Sequence, residues 1–210
     1  MTPVAALVIP SPPMLLPEYV GLADPAAELR HRVTQALREA VDRHAIEHVV
    51  VVTGHERAPR HTKGPVGARV ARAIVTAAGW DGPVATVVVP FDATPQEVAA
   101  CARSARSVGM SSARVLLVVA ADLSAKRTEK APGHFDERAL AVDTAVLAAL
   151  ENGCAPDVSA LDPAVCADLW LTGRAALQVL ALLLPQPGSA RVLWADLPYG
   201  VQLVLATWSA

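Results

Sequence analysis

The sequence predicts an α/β fold: a three-layer sandwich with a central, mostly parallel or mixed sheet and helices on both faces. Short apolar runs rich in β-branched residues alternate with longer segments of helical spacing. The runs are apolar at successive positions, as strands buried on both faces are. Each closes on Pro, Gly or Asp, which punctuate strands. The four runs lie at residues 4–9, 48–53, 85–89 and 114–120, and the helical segments between them at 26–44, 66–78 and 94–108. In the third helical segment, Thr94-Pro95-Gln96-Glu97 supplies an N-cap, a first-turn proline and a capping-box glutamate.

The second half leaves that alternation. Helices are expected at 137–150, 162–171 (Asp162 as cap, Pro163 at the first position) and 175–184. Strands at 190–195 and 201–208 flank Asp196-Leu197-Pro198-Tyr199-Gly200, a turn suited to a hairpin at the sheet edge. No internal repeat, linker or low-complexity stretch interrupts the chain, so a single domain over residues 1–210 is expected. A chain of that length buries roughly 70% of the surface its unfolded form exposes.

Composition excludes several classes. Hydrophobic residues make up 53% and charged residues 18%, far from the signature of disorder. With 18 basic and 20 acidic residues, no global field recruits nucleic acid or an anionic membrane, and no interleaving of aromatic and basic residues suggests RNA binding. Cys101, Cys154 and Cys166 are an odd set without Cys-x-x-Cys, which fits reduced thiols and a cytoplasmic location. The N-terminal apolar run lacks a basic lead and breaks at Pro10, unlike an export signal. The longest apolar stretch, residues 169–184, is interrupted by Arg174 and Gln178 and falls short of the ~20 residues of a membrane span, so it reads as buried helix.

In open parallel sheets ligands bind beyond the carboxyl ends of the strands. That rule selects Ser11, His55, Asp92, Asp122, Ser124 and Asp196. Around Ser11 the chain carries Pro10, Pro12, Pro13 and Pro17, which makes a rigid extended loop, either a stiff exit from the first strand or part of a ligand site. The loop at 52–64 holds His55, His61, Arg57, Arg60, Lys63 and Glu56. It suits an anion or a metal, or is a solvated polar loop, and it has no phosphate-binding glycine pattern. The polar connection at 121–136 reads as a lid or binding loop, with Asp136 placed to cap the next helix. His31, His44 and His48 show no ligand spacing and read as surface residues. No Gly-x-Ser-x-Gly elbow occurs, and no cysteine has a base nearby in sequence.

Four segments together resemble the class III extradiol ring-cleavage dioxygenase superfamily, in order and spacing across nearly the whole chain. Ile9-Pro10-Ser11-Pro12-Pro13 with Pro17-Glu18 resembles the family's Pro-His-Pro-Pro opening, and Thr53-Gly54-His55 its second-strand histidine. Ala121-Asp122-Leu123-Ser124, followed by Ala131-Pro132-Gly133-His134-Phe135-Asp136, is similar to the Gly-Asp-Leu-Ser-His loop and its Ala-Pro-x-x-Phe-Asp continuation. Asp196-Leu197-Pro198-Tyr199-Gly200-Val201 resembles the closing Glu-x-Pro-x-Gly-Val.

The resemblance implies a mixed-sheet α/β domain. In active members it also implies ferrous iron held by two histidines and a glutamate, with a further histidine as base, leaving open positions for a catecholate and dioxygen. Carried over residue by residue, that set is damaged. Ser11 stands at the first ligand position, and its hydroxyl is a poor ligand for Fe²⁺ beside imidazole. His55 matches the second ligand, and Asp196 meets the glutamate position on a stem one methylene shorter. Ala125 takes the place of the base, with His134 the nearest substitute.

The expectation is a dioxygenase-like protein without iron-dependent ring cleavage, binding a small molecule in a cleft of Ser11, His55, Asp122, Ser124, Asp196 and Tyr199. A second reading keeps an enzyme, with Fe(II) or another divalent metal on His55, Asp196 and a recruited His61 or His134. A third is a homo-oligomeric scaffold using the apolar helices at 169–184 or the final strand pair.

Overall fold

The computed structural model describes residues 3–21, 23–57, 63–109 and 114–210. Six strands, β1 (Ala5–Ile9), β2 (His48–His55), β3 (Val84–Pro90), β4 (Val115–Ala120), β5 (Ser189–Asp196) and β6 (Leu203–Ser209), form one sheet. Their order is β3-β2-β4-β1-β6-β5. The first four are mutually parallel, β6 is antiparallel to β1, and β5 is antiparallel to β6. The sheet is therefore mixed, and β5 ends on the same edge as the four parallel strands.

Seven helices accompany the sheet: α1 (Ala27–His44), α2 (Val66–Ala77), α3 (Pro95–Gly109), α4 (Arg138–Asn152), α5 (Ala155–Ser159), α6 (Pro163–Asp168) and α7 (Arg174–Leu183). Alternation along the strands decides which face each residue serves. Leu7, Val49, Val51, Leu116 and Val118 pack with Val33 and Leu37 of α1 and Val70 and Ile74 of α2. Val8, Val50, Val52, Leu117 and Val119 pack with α3, α4, α5 and α7. β4 is buried at every position because both faces are covered. This is the expected three-layer sandwich.

The local signals read from the sequence form as expected. Glu97 Oε2 accepts from the Thr94 amide at 2.8 Å, and Thr94 Oγ1 accepts from the Glu97 amide at 3.3 Å, closing the capping box of α3. Asp162 Oδ1 accepts from the Val165 amide at 2.8 Å with Pro163 leading α6. Asp136 Oδ1 accepts from the Arg138 amide at 3.0 Å at the start of α4. β5 and β6 make the expected hairpin at the sheet edge.

Two features differ from expectation. The five-residue α5, with Pro156 in its first turn, is too short to show a period. α6 stops before residue 171: Leu171 N donates to Cys166 O and Trp170 N to Ala167 O, a Schellman closure with Trp170 in the left-handed region (φ 54°). Such a stop is ordinarily marked by glycine, and here an aromatic residue holds it. The apolar stretch after it is the buried helix the sequence predicts: α7 is buried at every position except Leu182, so its apolar side chains are taken up within the chain. No helix among the described residues is long and apolar enough to cross a membrane.

The β5–β6 turn packs against the 121–136 connection at Gly200, whose φ is +76°. A Cβ there would run into Thr128 Oγ1 and lie 2.6 Å from Ala131 Cβ. Gly200→Ala is expected to cost about 2–4 kcal/mol from left-handed strain and overpacking together. Urea denaturation should show a lower midpoint at unchanged m; an unchanged midpoint would mean the turn does not dock as described.

Candidate functional site

The candidate site grows from the carboxyl edge of the neighbouring strands β1, β4 and β2. Ser11 lies two residues past β1, Asp122 two past β4, and His55 is the last residue of β2. The chain leaving β4 crosses above the end of β1: Ala121 N donates to Ile9 O, Leu123 N to Gln202 O, and Gln202 N to Ser124 O. This crossing presents Asp122 to Ser11. The Ser11 amide donates to Asp122 Oδ1 at 2.8 Å and its hydroxyl to Oδ2 at 3.1 Å, so one serine clasps both carboxylate oxygens.

Two cavities meet here. One of about 270 Å³ is lined by Ser11, Gly54 and His55, and the other, of about 460 Å³, by Leu123, Ala125, Cys166, Trp170 and Val201. Glu56, Phe91, Asp122 and Thr172 line both, so they are lobes of one cleft with Asp122 at their junction. Glycines hold the walls close. A Cβ on Gly54 would lie 2.5 Å from the Phe91 ring, and one on Gly173 would lie 2.6 Å from Asp122 O. At the rim, Arg57 donates to Asp92 at 2.9 Å and with both Nη atoms to Glu97 at 2.8 Å, tying the β2 exit to α3.

Ser11, His55 and Asp122 thus come together, with Ala125 in the larger lobe. Ser124 turns the other way: wholly buried, it donates its amide to Asp143 Oδ1 at 3.0 Å and its hydroxyl to Oδ2 at 2.6 Å. Tyr199 is 67% exposed and His134 also faces solvent; neither lines the cleft. His61 lies outside the described residues. Asp196 ends β5, four strand steps from β2, about 19 Å at roughly 4.8 Å per step. Its Oδ1 accepts from the following amide of Leu197 at 2.8 Å.

These donors do not fit the iron site that the resemblance implies. The hydroxyl at the first ligand position is engaged with a carboxylate, the base position carries a methyl group, and the paired ligands His55 and Asp196 stand on distant strands. Among the described residues, no three histidine, cysteine, aspartate or glutamate side chains gather to hold one ion. Cys166 supplies no nucleophile either, since burial pushes its thiol up to about 11. Sequence reasoning did not single out Phe91, Trp170 or Thr172 as cleft residues. Phe91 directly follows β3 and was within reach of the strand-end rule, whereas the Trp170 turn carries no sequence signal.

Neither protein-family models nor curated proteins provide a match to this chain.

Burial lifts the Asp122 carboxyl from 3.8 to about 6, while the two Ser11 bonds pull it the other way. The folded pKa exceeds the unfolded one, so the folded state holds this proton more tightly. The resulting stability, about 3 kcal/mol, is fully present below about pH 4 and lost as pH rises through about 6. Asp122→Asn keeps an acceptor for the Ser11 amide without ionising. It should be more stable than the unsubstituted protein at pH 8 by about 1–3 kcal/mol, with the advantage fading toward pH 4. A difference independent of pH in paired urea titrations would rule out the burial effect.

Proposed function

We propose that the chain is a class III extradiol dioxygenase-like protein that no longer performs iron-dependent ring cleavage and binds a small molecule in the inherited cleft. The Ser11–Asp122 clasp supports this most directly. An imidazole at residue 11 would offer a metal a neutral nitrogen; the serine instead spends its hydroxyl and its amide on a carboxylate that faces the cleft. The site is thereby rebuilt as a hydrogen-bonding pocket.

The cleft also suggests what it takes. Its larger lobe is walled by Phe91, Leu123, Ala125, Leu171 and Val201, with Trp170 at one side and Lys126 Nζ 6.0 Å from the indole centroid. Ser11 occupies one lone pair on each Asp122 oxygen, which leaves the others for a ligand donor. An apolar or aromatic body carrying a hydroxyl or amine fits this pattern.

Protein expressed with iron supplementation should retain iron far below one equivalent, and should bind catechol without consuming it. Metal analysis with an oxygen-uptake assay tests this. Near-stoichiometric iron together with ring-cleaved product would overturn the reading.

A further inference from the structure

One buried charge in this protein has no counter-ion. Arg174 opens α7, is 1% exposed, and donates to the carbonyls of Phe91 at 2.9 Å and Ala93 at 2.8 Å and to Gln178 Oε1 at 2.7 Å. All three acceptors are neutral. Every acidic residue of the chain is among the described residues, and none forms an ion pair with Arg174. Asp92 and Asp162 act on it only at a distance. Arg57 already holds Asp92 at 2.8 Å, and Asp162 caps α6.

A guanidinium has five N–H donors and does not lose its charge in a protein. Three bonds are accounted for, leaving the Nε–H and one Nη1–H without an acceptor among the described residues. Burying such a charge unpaired is costly, and buried charges are ordinarily matched by an opposite one. Arg174 lines a separate cavity of about 410 Å³ between α3, the 159–163 connection and α7. Its walls are apolar at Pro95, Val98, Leu161, Pro163 and Leu182, and no other cation among the described residues lines it.

We propose that this cavity is a second binding site, distinct from the cleft, for a small monocarboxylate with an apolar body, its carboxylate directed at Arg174. A carboxylate oxygen accepts from the free Nε–H while its charge faces the guanidinium. A doubly charged phosphate does not suit the site, because Asp162 lines the same cavity and repels the extra charge. The volume is in the range of small-molecule pockets.

Benzoate, with methyl benzoate as a neutral counterpart that has no hydroxyl or amine for the cleft, probes the site by calorimetry on the full chain. Arg174→Gln removes the charge but also the anchor of Phe91 and Ala93, so a variant that leaves Arg174 in place is needed. Ala99→Trp fills the cavity from α3, and Ala125→Trp fills the larger lobe of the cleft. Benzoate should bind saturably, at least tenfold tighter than methyl benzoate, should weaken at least tenfold in folded Ala99→Trp, and should be unchanged in Ala125→Trp. Equal affinity for the two probes, no saturable binding, or loss in Ala125→Trp with retention in Ala99→Trp would each overturn the assignment.

Discussion

The carboxylate of Asp143 lies wholly inside the protein and accepts from the Ser124 amide, the Ser124 hydroxyl and Arg127 Nη1. A buried carboxylate stripped of such donors costs several kcal/mol, so this cluster fixes the chain path between β4 and α4. Arg127 extends the network to Gln202 Oε1 at 2.8 Å, and Gln202 exchanges backbone bonds with Leu123 and Ser124. The loop is thereby pinned to α4 on one side and β6 on the other. It must pass over the end of β1, which is where the cleft begins.

The functional consequence lies in the alternation of three residues. With Ser124 drawn into the interior and Leu123 packed in the core, Asp122 faces the cleft and meets Ser11. The two carboxylates of this region then have different partners. Asp143 has a guanidinium; Asp122 has a serine, which cannot offset the loss of water, and its pKa rises. A carboxyl whose proton comes off near pH 6, at the junction of two lobes, is a different chemical instrument from a metal centre.

Contacts between distant segments explain why the motif pieces belong together. Arg127 N donates to Gly200 O, and the bare Gly200 Cα admits Thr128 and Ala131. The Ala-Pro stretch and the Pro-Tyr-Gly-Val turn are two halves of one close contact. Gly173 does the same for the cleft floor, where its amide donates to Asp122 O at 2.9 Å. These are packing requirements, and they apply whether or not the site holds a metal.

Much of the fold was legible locally. Thr94 and Glu97, Asp162 with Pro163, and the Pro-x-Gly turn before β6 each act within a few residues, and strand alternation follows from which side chains are apolar. The pairing of Ser11 with Asp122 was legible only as two strand ends, because whether they touch depends on β1 and β4 being neighbours across 111 positions of sequence. The expected partnership of His55 with Asp196 failed on the same ground: β4, β1 and β6 lie between β2 and β5, and no local preference encodes that order. Trp170 in a left-handed turn and Arg174 without a counter-ion were likewise invisible, since tertiary packing alone holds the first and defines the surroundings of the second. The sequence by itself determined most of the elements and the rigid proline-flanked loop that carries Ser11. Tertiary structure decided which strand ends meet, because hydrogen-bonded strand order is a long-range choice.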